Sequence, residues 1–242
     1  MKTTGANSVN GRPRPAVLTD FDDTAAAQNV AELLLNRFGD PDWKNVRQSF
    51  RDGYMDLKEY QEITFRNIQA DRATMRSYVK ENASLRPYFK ELWHFCLSNN
   101  IPMAVVSQGL DFYIEALLEK EGVARVPVYA VDTEFHDGSI SYHYNHAYPG
   151  KEAQGNSKGF VVESFQEQGC HVFFAGDGRS DLEAARVADV LFAHSSLAKF
   201  CDDEGISYQP FGDFSGMLLS VREFTQNCHG VDARNPDEKA KP

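Results

Sequence analysis

The sequence lacks the cysteine patterns that mark a zinc site or a disulfide framework. Its 242 residues contain only four cysteines, which lie far apart and never form a CxxC pair: Cys96, Cys170, Cys201 and Cys228. Cysteine zinc sites need closely spaced pairs, and small disulfide-bonded domains are much richer in cysteine. We therefore expect free thiols in a protein of a reducing compartment.

Long apolar runs and an excess of positive charge are also missing. No run approaches the roughly 20 apolar residues that span a bilayer, and residues 1–14 contain no apolar core of a signal peptide. The formal net charge is −10, whereas nucleic-acid backbones are bound by clustered Lys and Arg. We expect a cytoplasmic protein whose partner is neither a membrane nor a nucleic acid.

What the sequence does contain is a short apolar run that ends in acids. Residues 16–18 are Ala-Val-Leu, and the chain then passes through Asp20, Asp22 and Asp23 to Thr24. Residues two apart in a strand point to the same side, so Asp20 and Asp22 are expected to project together from the strand end. A hard divalent cation would offset the repulsion between their carboxylates, and oxygen-only ligands favour Mg²⁺ over Zn²⁺. The stretch predicts a magnesium site.

Apolar strand candidates alternate with helical patterns along the chain, which predicts an α/β fold with a parallel sheet covered on both faces. After the first strand, the predicted strands are 101–106, 126–131, 172–175, 190–193 and 208–211. Helices are predicted at 87–98, 111–121, 158–168 and 182–188, and four short ones within 25–84, the first at 25–38. The turn signal Asp137-Gly138 predicts a hairpin.

The order of these elements also predicts the domains. Because the helical block 25–84 lies between the first two strands, we expect an insertion into the core rather than a tandem domain. The core is predicted over 16–24 and 85–228. Residues 1–15 are predicted to form a flexible arm, and the charged, Pro-containing tail 229–242 to be disordered.

Polar residues follow three of the predicted strands, at the point where each strand ends. They are Asp20 with Asp22, then Ser107, then Asp177 with Asp181. The carboxyl ends of neighbouring parallel strands open into one crevice, so these residues are expected to meet although they are far apart in sequence.

The same residues carry a family resemblance. The stretch 20–24, Asp-Phe-Asp-Asp-Thr, resembles the DxDxT motif of the haloacid dehalogenase superfamily, and Ser107, Lys158 and Gly176–Asp181 resemble its second, third and fourth motifs. The resemblance covers residues 16–215 and implies a Rossmann-like, three-layer core with an inserted all-helical cap, as in the phosphoserine phosphatase-like branch. The segments 105–112 and 181–185 look most similar to the phosphatases of methionine salvage.

The resemblance implies a role for each motif residue. Asp20 would attack phosphorus, forming an aspartyl-phosphate, and Asp22 would be the general acid and base. With an ordinary pKa near 4, Asp20 is ionised at neutral pH, and crowding by other acids raises the pKa of Asp22. The implied Mg²⁺ ligands are Asp20, the backbone carbonyl of Asp22, and Asp177, with Asp181 as ligand or supporting partner. The implied phosphate-binding residues are Thr24, Ser107, Gln108 and Lys158.

Several alternatives stay open. The predicted activity is hydrolysis of a small phosphorylated metabolite by a monomer or homodimer; a phosphotransferase or mutase would use the same intermediate, and a non-catalytic binding protein would keep only the fold. The acids are intact at all motif positions, which argues against a non-catalytic binding protein. Lys151 competes with Lys158 as the third-motif lysine. Asn29 stands where phosphoserine phosphatases carry a Glu that holds the substrate amine, which argues against phosphoserine.

Overall fold

The computed structural model describes residues 13–136 and 139–229, except for the side chains of residues 228 and 229. Its strands are β1 (Arg14–Thr19), β2 (Met103–Leu110), β3 (Val128–His136), β4 (Ser139–His143), β5 (Cys170–Gly176), β6 (Val190–Ala193) and β7 (Gln209–Pro210). They form one sheet in the order β4-β3-β2-β1-β5-β6-β7, parallel except for the β3–β4 pair. The predicted α/β fold with a parallel sheet is confirmed.

Ten α-helices accompany the sheet in the described residues. Four lie in the inserted segment after β1: α1 (Val30–Phe38), α2 (Trp43–Arg51), α3 (Leu57–Arg66) and α4 (Arg72–Asn82). The other six are α5 (Phe89–Ser98), α6 (Asp111–Lys120), α7 (Lys158–Glu167), α8 (Leu182–Val187), α9 (Ser195–Glu204) and α10 (Phe214–His229). Within the described residues, no helix is both long enough and apolar enough to cross a membrane.

The central strand β1 is buried on both faces, as its apolar run predicts. Val17 packs in the cluster that includes α5, α6 and α10, whereas Ala16 and Leu18 pack in the cluster that includes α7, α8 and α9. All three are fully buried. Successive strand residues point to opposite faces, so a strand between two helical layers must be apolar throughout.

The inserted helices are joined to the core by two adjacent chain segments. Ala26 and Leu85 form an isolated antiparallel bridge, and the amide of Arg86 donates to the carbonyl of Ala25 at 2.8 Å. Helix α4 is also tied to α6, because the Arg76 guanidinium donates to the Phe112 carbonyl at 2.7 Å and pairs with a Glu. One end of the inserted segment is therefore fixed against the core.

Two predicted boundaries are wrong. Strand β1 begins at Arg14, so residues 14 and 15 belong to the sheet and not to an arm. The helix predicted at 25–38 begins only at Val30, because the chain before it forms an irregular turn, Phe21–Ala25, and then the bridge to Leu85. The Asn29 side chain caps α1 by accepting from the Glu32 amide at 2.9 Å. The rest of the predicted arm, 1–12, and of the tail, 230–242, lies outside the described residues.

Other elements differ in extent. Strand β2 continues through Leu110, past the predicted end at residue 106, with a register shift against β3. Strands β3 and β4 form the predicted antiparallel pair, with His136 opposite Ser139; the turn residues 137 and 138 lie outside the described residues. Helices α9 and α10 were not predicted. The three cysteines with described side chains are free and buried, as expected.

Candidate active site

The carboxyl ends of the three central strands open into one cavity of about 310 Å³ between the sheet and helices α1–α3. Asp20 follows β1, Ser107 lies near the end of β2, and Asp177 follows β5. Carboxylate oxygens of Asp20, Asp177 and Asp181 lie within 4.8 Å of one another. The structure thus brings together side chains that are separated by up to about 160 residues, as the strand order predicts.

Lys158 neutralises part of this acidic cluster. It is the first residue of α7, it is 2% exposed, and its Nζ lies 2.5 Å from Oδ1 of both Asp20 and Asp181. Burial lowers the pKa of Lys158, but the charges of Asp181 and Asp20 outweigh burial and raise it above the ordinary value. The competing candidate, Lys151, is exposed and lies over the Tyr148 ring. Lys158 is therefore the lysine that lies at the acids.

The pKa of Asp20 is not the ordinary value that the sequence suggested. Burial raises it well above the usual range, and the charge of Lys158 opposes that shift. Asp177 behaves similarly, because burial and the charge of Asp181 raise its pKa to about 7. Ionisation of Asp20 at neutral pH therefore depends on positive charge nearby, and a bound cation would supply more of it.

Asp181 is held in place by backbone groups as well as by Lys158. It is fully buried, and its Oδ2 accepts hydrogen bonds from the amides of Asp177 and Gly178, each at 2.9 Å. A Cβ on Gly176 would fall 2.5 Å from its Cγ, so a side chain there is excluded. Both oxygens of Asp181 have protein donors, which suits a role in fixing the loop that carries Asp177.

Asp22 lines the same cavity as Asp20, as predicted, but the backbone that places it there is a turn and not a strand. The strand ends at Thr19, and in the turn that follows, the Asp22 carboxylate accepts from the amides of Val30 at 2.6 Å and Ala31 at 3.3 Å, in the first turn of α1. The hydroxyl of Tyr113 donates to its other oxygen at 2.9 Å. Burial raises the pKa of Asp22 to about 6, while these hydrogen bonds lower it.

Gly109 permits the contact between Tyr113 and Asp22. A Cβ at this position would overlap the Tyr113 hydroxyl and lie 3.1 Å from Oδ2 of Asp22. Tyr113 is fully buried, and burial together with the Asp22 charge raises its pKa well above the ordinary value, so it remains a neutral donor. We did not predict Tyr113; its only sequence signal is a phenol on an apolar helix face, where a buried hydroxyl needs a partner.

Of the predicted phosphate-binding residues, Thr24 does not line the cavity. Its hydroxyl is buried and makes no hydrogen bond within the described residues. Ser107 and Gln108 do line the cavity, as does Lys158. The Ser107 Oγ accepts from the Gly109 amide at 2.9 Å, and the Gln108 side-chain amide donates to the Asn156 carbonyl at 2.9 Å. The Ser107 hydroxyl can therefore donate its proton to a ligand, whereas the Gln108 side-chain amide already donates to the Asn156 carbonyl.

Arg86 is a second residue near the site that the sequence did not reveal. It lies where the chain returns from the inserted helices, and its guanidinium donates to the carbonyls of Asp23 at 2.5 Å and Thr24 at 3.0 Å. Asp23 has a φ of 59°, in the left-handed region that non-glycine residues rarely adopt. Arg86 therefore stabilises a strained turn directly after Asp22.

The comparisons with known proteins agree with this geometry. Residues 17–186 match the family of haloacid dehalogenase-like hydrolases, and the chain belongs to that family. The prediction that the chain is a phosphatase of the haloacid dehalogenase superfamily is thereby confirmed.

Individual relatives are distant. The chain is 24% identical over 225 residues to a 2-hydroxy-3-keto-5-methylthiopentenyl-1-phosphate phosphatase of Lysinibacillus sphaericus. This alignment covers 90% of this chain and 98% of the relative. It is 27% identical over 220 residues to Pdp3-interacting factor 1 of Schizosaccharomyces pombe, covering 86% and 94% of the two chains. A solved phosphoserine phosphatase with a phospho-aspartyl intermediate analogue superposes with a TM-score of 0.64 at 16% identity, over 86% of this chain and 99% of that one. This last likeness shows the fold.

Proposed function

We propose that the chain is a Mg²⁺-dependent phosphomonoesterase that hydrolyses a small phosphorylated metabolite through an aspartyl-phosphate on Asp20. The observation that carries the proposal is that the two motif carboxylates line one cavity with different partners. Asp20 shares a buried cluster with Asp177 and Lys158, whereas Asp22, which lines the same cavity, is held by Tyr113 and the start of α1. Carboxylates in such different environments are suited to different roles in one reaction.

In the first half-reaction, the Asp20 carboxylate attacks phosphorus. A bond forms between its Oδ and phosphorus while the bond from phosphorus to the leaving oxygen breaks. Asp22 donates its proton to that oxygen, and because burial raises its pKa to about 6, a protonated fraction exists near neutral pH. The products are the free alcohol and a phosphorylated Asp20.

In the second half-reaction, the Asp22 carboxylate accepts a proton from water. The resulting nucleophile attacks phosphorus, the bond to the Asp20 Oδ breaks, and inorganic phosphate leaves. Ser107 and Lys158 line the cavity and are the proposed donors to the phosphoryl oxygens. Thr24 is withdrawn from this role because it does not line the cavity.

The acidic cluster fits a divalent cation by its donor chemistry. Carboxylate oxygens are the hard ligands that Mg²⁺ prefers, and three carboxylates converge within 4.8 Å. We propose Asp20, Asp177 and the backbone carbonyl of Asp22 as ligands, with Asp181 orienting the loop. When bound, Mg²⁺ would offset the negative charge of the acids and of the phosphoryl group.

We expect wild-type hydrolysis of 4-nitrophenyl phosphate to stop in EDTA and to return with excess Mg²⁺, because without the cation the acids repel a phosphate dianion. Released phosphate is the measurement, and a circular-dichroism melting curve in EDTA shows whether the fold persists. Full hydrolysis in EDTA would contradict the metal assignment. Adding alcohol acceptors to the same assay separates transfer of phosphate to water from transfer to another molecule.

The substrate is to be found with a panel of phosphorylated metabolites. The name of the Lysinibacillus relative supports a small phosphomonoester, and 2-hydroxy-3-keto-5-methylthiopentenyl 1-phosphate is the first compound to test. O-phosphoserine belongs in the panel as a negative control, because Asn29 serves as a helix cap and carries no charge for an amine.

Tyr113→Phe should move the pH dependence of the reaction in a defined direction. The Tyr113 hydroxyl stabilises ionised Asp22, so its loss should raise the Asp22 pKa above its present value of about 6. With an alkyl phosphate, whose leaving group needs a proton, kcat/KM falls as pH rises through that pKa, and the fall should occur at higher pH in the variant. The measurement is the variant-to-wild-type ratio of kcat/KM against pH. A ratio independent of pH would contradict the role of Tyr113.

A further inference from the structure

Among the described residues, the cavity wall formed by the inserted helices has no unpaired carboxylate for a substrate amine. Glu32, on α1, forms an ion pair with Arg47, on α2, and the two side chains are only 26% and 28% exposed. The Asp23 carboxylate accepts from the Asn29 side chain at 3.2 Å. An ammonium group entering this end of the cavity would have to displace one of these partners.

The same wall carries an exposed arginine that forms no ion pair within the described residues. Arg51, the last residue of α2, lines the cavity, and its guanidinium has no ion pair or hydrogen bond with the described part of the chain. Arg47 differs because Glu32 neutralises it. The other cavity-lining arginine without a described partner, Arg179, lies on the core side beside the loop of Asp177.

Next to Arg51 the wall is aromatic and apolar. The rings of Phe50 and Tyr60 stack with centroids 5.2 Å apart and an interplanar angle of 16°, and both residues line the cavity. Leu35 and Leu57 extend this surface. Such a surface favours a flat or apolar group, since stacking and burial of apolar area both contribute to binding.

We infer that the cavity selects a phosphomonoester whose alcohol part joins a flat or apolar body to an anionic group such as a carboxylate, and that Arg51 binds that group. The inference rests on the phosphatase function proposed above and names its substrate class. A guanidinium matches a carboxylate through two parallel hydrogen bonds, which gives both attraction and orientation.

Two matched probes test this inference: 4-carboxyphenyl phosphate and its neutral counterpart 4-carbamoylphenyl phosphate. Arg51→Gln should raise KM for the carboxylate about five- to tenfold with little change in kcat, and should change KM for the carboxamide less than about twofold. Comparing variant with wild type for each probe cancels the intrinsic reactivity of its leaving group. Arg37→Gln, an exposed arginine of α1 outside the cavity lining, is the control and should alter neither.

The inference is overturned if Arg51→Gln affects both probes equally or neither, or if Arg179→Gln alone removes the preference. A measurement without turnover keeps the test separate from the proposed reaction. Wild-type protein should bind 4-hydroxybenzoate more tightly than 4-hydroxybenzamide in a calorimetric titration, and Arg51→Gln should abolish the difference. If binding shows this pattern but no phosphate is released from any ester, the proposed function fails while Arg51 keeps its role in anion binding.

Discussion

Asp20→Asn should lower the hydrolysis of phosphomonoesters by about 10⁴-fold or more, since an amide oxygen is a poor nucleophile toward phosphorus. The fold should persist, because Asn is nearly isosteric with Asp and Lys158 keeps its contact with Asp181 at 2.5 Å. The measurement is phosphate release, with circular dichroism and melting temperature for the fold. Intact-protein mass after rapid acid quenching should show a phosphoryl adduct in wild type and none in the variant.

Asp203→Asn is the matched control, because Asp203 is an exposed residue of α9 away from the cavity lining. It should leave both phosphate release and the phosphoryl adduct unchanged. Hydrolysis retained in a folded Asp20→Asn protein would show that another residue is the nucleophile. The aspartyl-phosphate proposal would then be withdrawn even if the Mg²⁺ requirement held.

The part of the site that sequence predicts well is the part determined by sheet topology. A strand buried on both faces must be apolar, so the change from Leu18 to the acids around Asp20 marks its end. Parallel strands align their carboxyl ends, which accounts for the meeting of Asp20 with Asp177 and of both with Ser107 at one cavity. These contacts follow from strand periodicity and direction, and no detail of the loops is needed.

The predictions that failed depend on the backbone after the strand ends. Strand geometry is the reason for expecting Asp20 and Asp22 together, yet Asp22 lies in the turn Phe21–Ala25 and reaches the cavity while bonded to the start of α1. The same turn withdraws Thr24 from the cavity. Its shape is stabilised by Arg86, which is about 60 residues away in sequence, so local pattern alone does not predict it.

Residues that act through long-range hydrogen bonds were missed for a related reason. Tyr113 is 91 positions from Asp22, and only the packing of α6 against the turn brings the phenol to the carboxylate. The sequence of α6 shows an apolar helix and no reason to single out one of its aromatic residues. Polar partners of this kind become visible only once the helices are packed.

Lys158→Met should lower both activity and stability, because it leaves the carboxylates of Asp20 and Asp181 buried without their positive partner. Removing one member of a buried ion pair typically costs about 3–5 kcal/mol of unfolding free energy, and all three side chains are at most 6% exposed. Without divalent cations, we expect a loss of that size in urea denaturation at neutral pH. Phosphate release should fall sharply as well, since Lys158 is a proposed donor to the phosphoryl oxygens.

Added Mg²⁺ distinguishes a charge effect from a simple packing defect. In the Lys158→Met variant the ionised form of the acids loses its protein partner, and bound Mg²⁺ would take over that role, so Mg²⁺ should raise the melting temperature of the variant more than that of the wild type. Folding of the variant only in the presence of Mg²⁺ would support the same conclusion. Lys151→Met, at an exposed lysine seven positions earlier, is the control and should change neither stability nor the response to Mg²⁺. Equal Mg²⁺ shifts in variant and wild type would contradict a cation site among these acids, because without the lysine their ionised form depends on the cation for a positive partner.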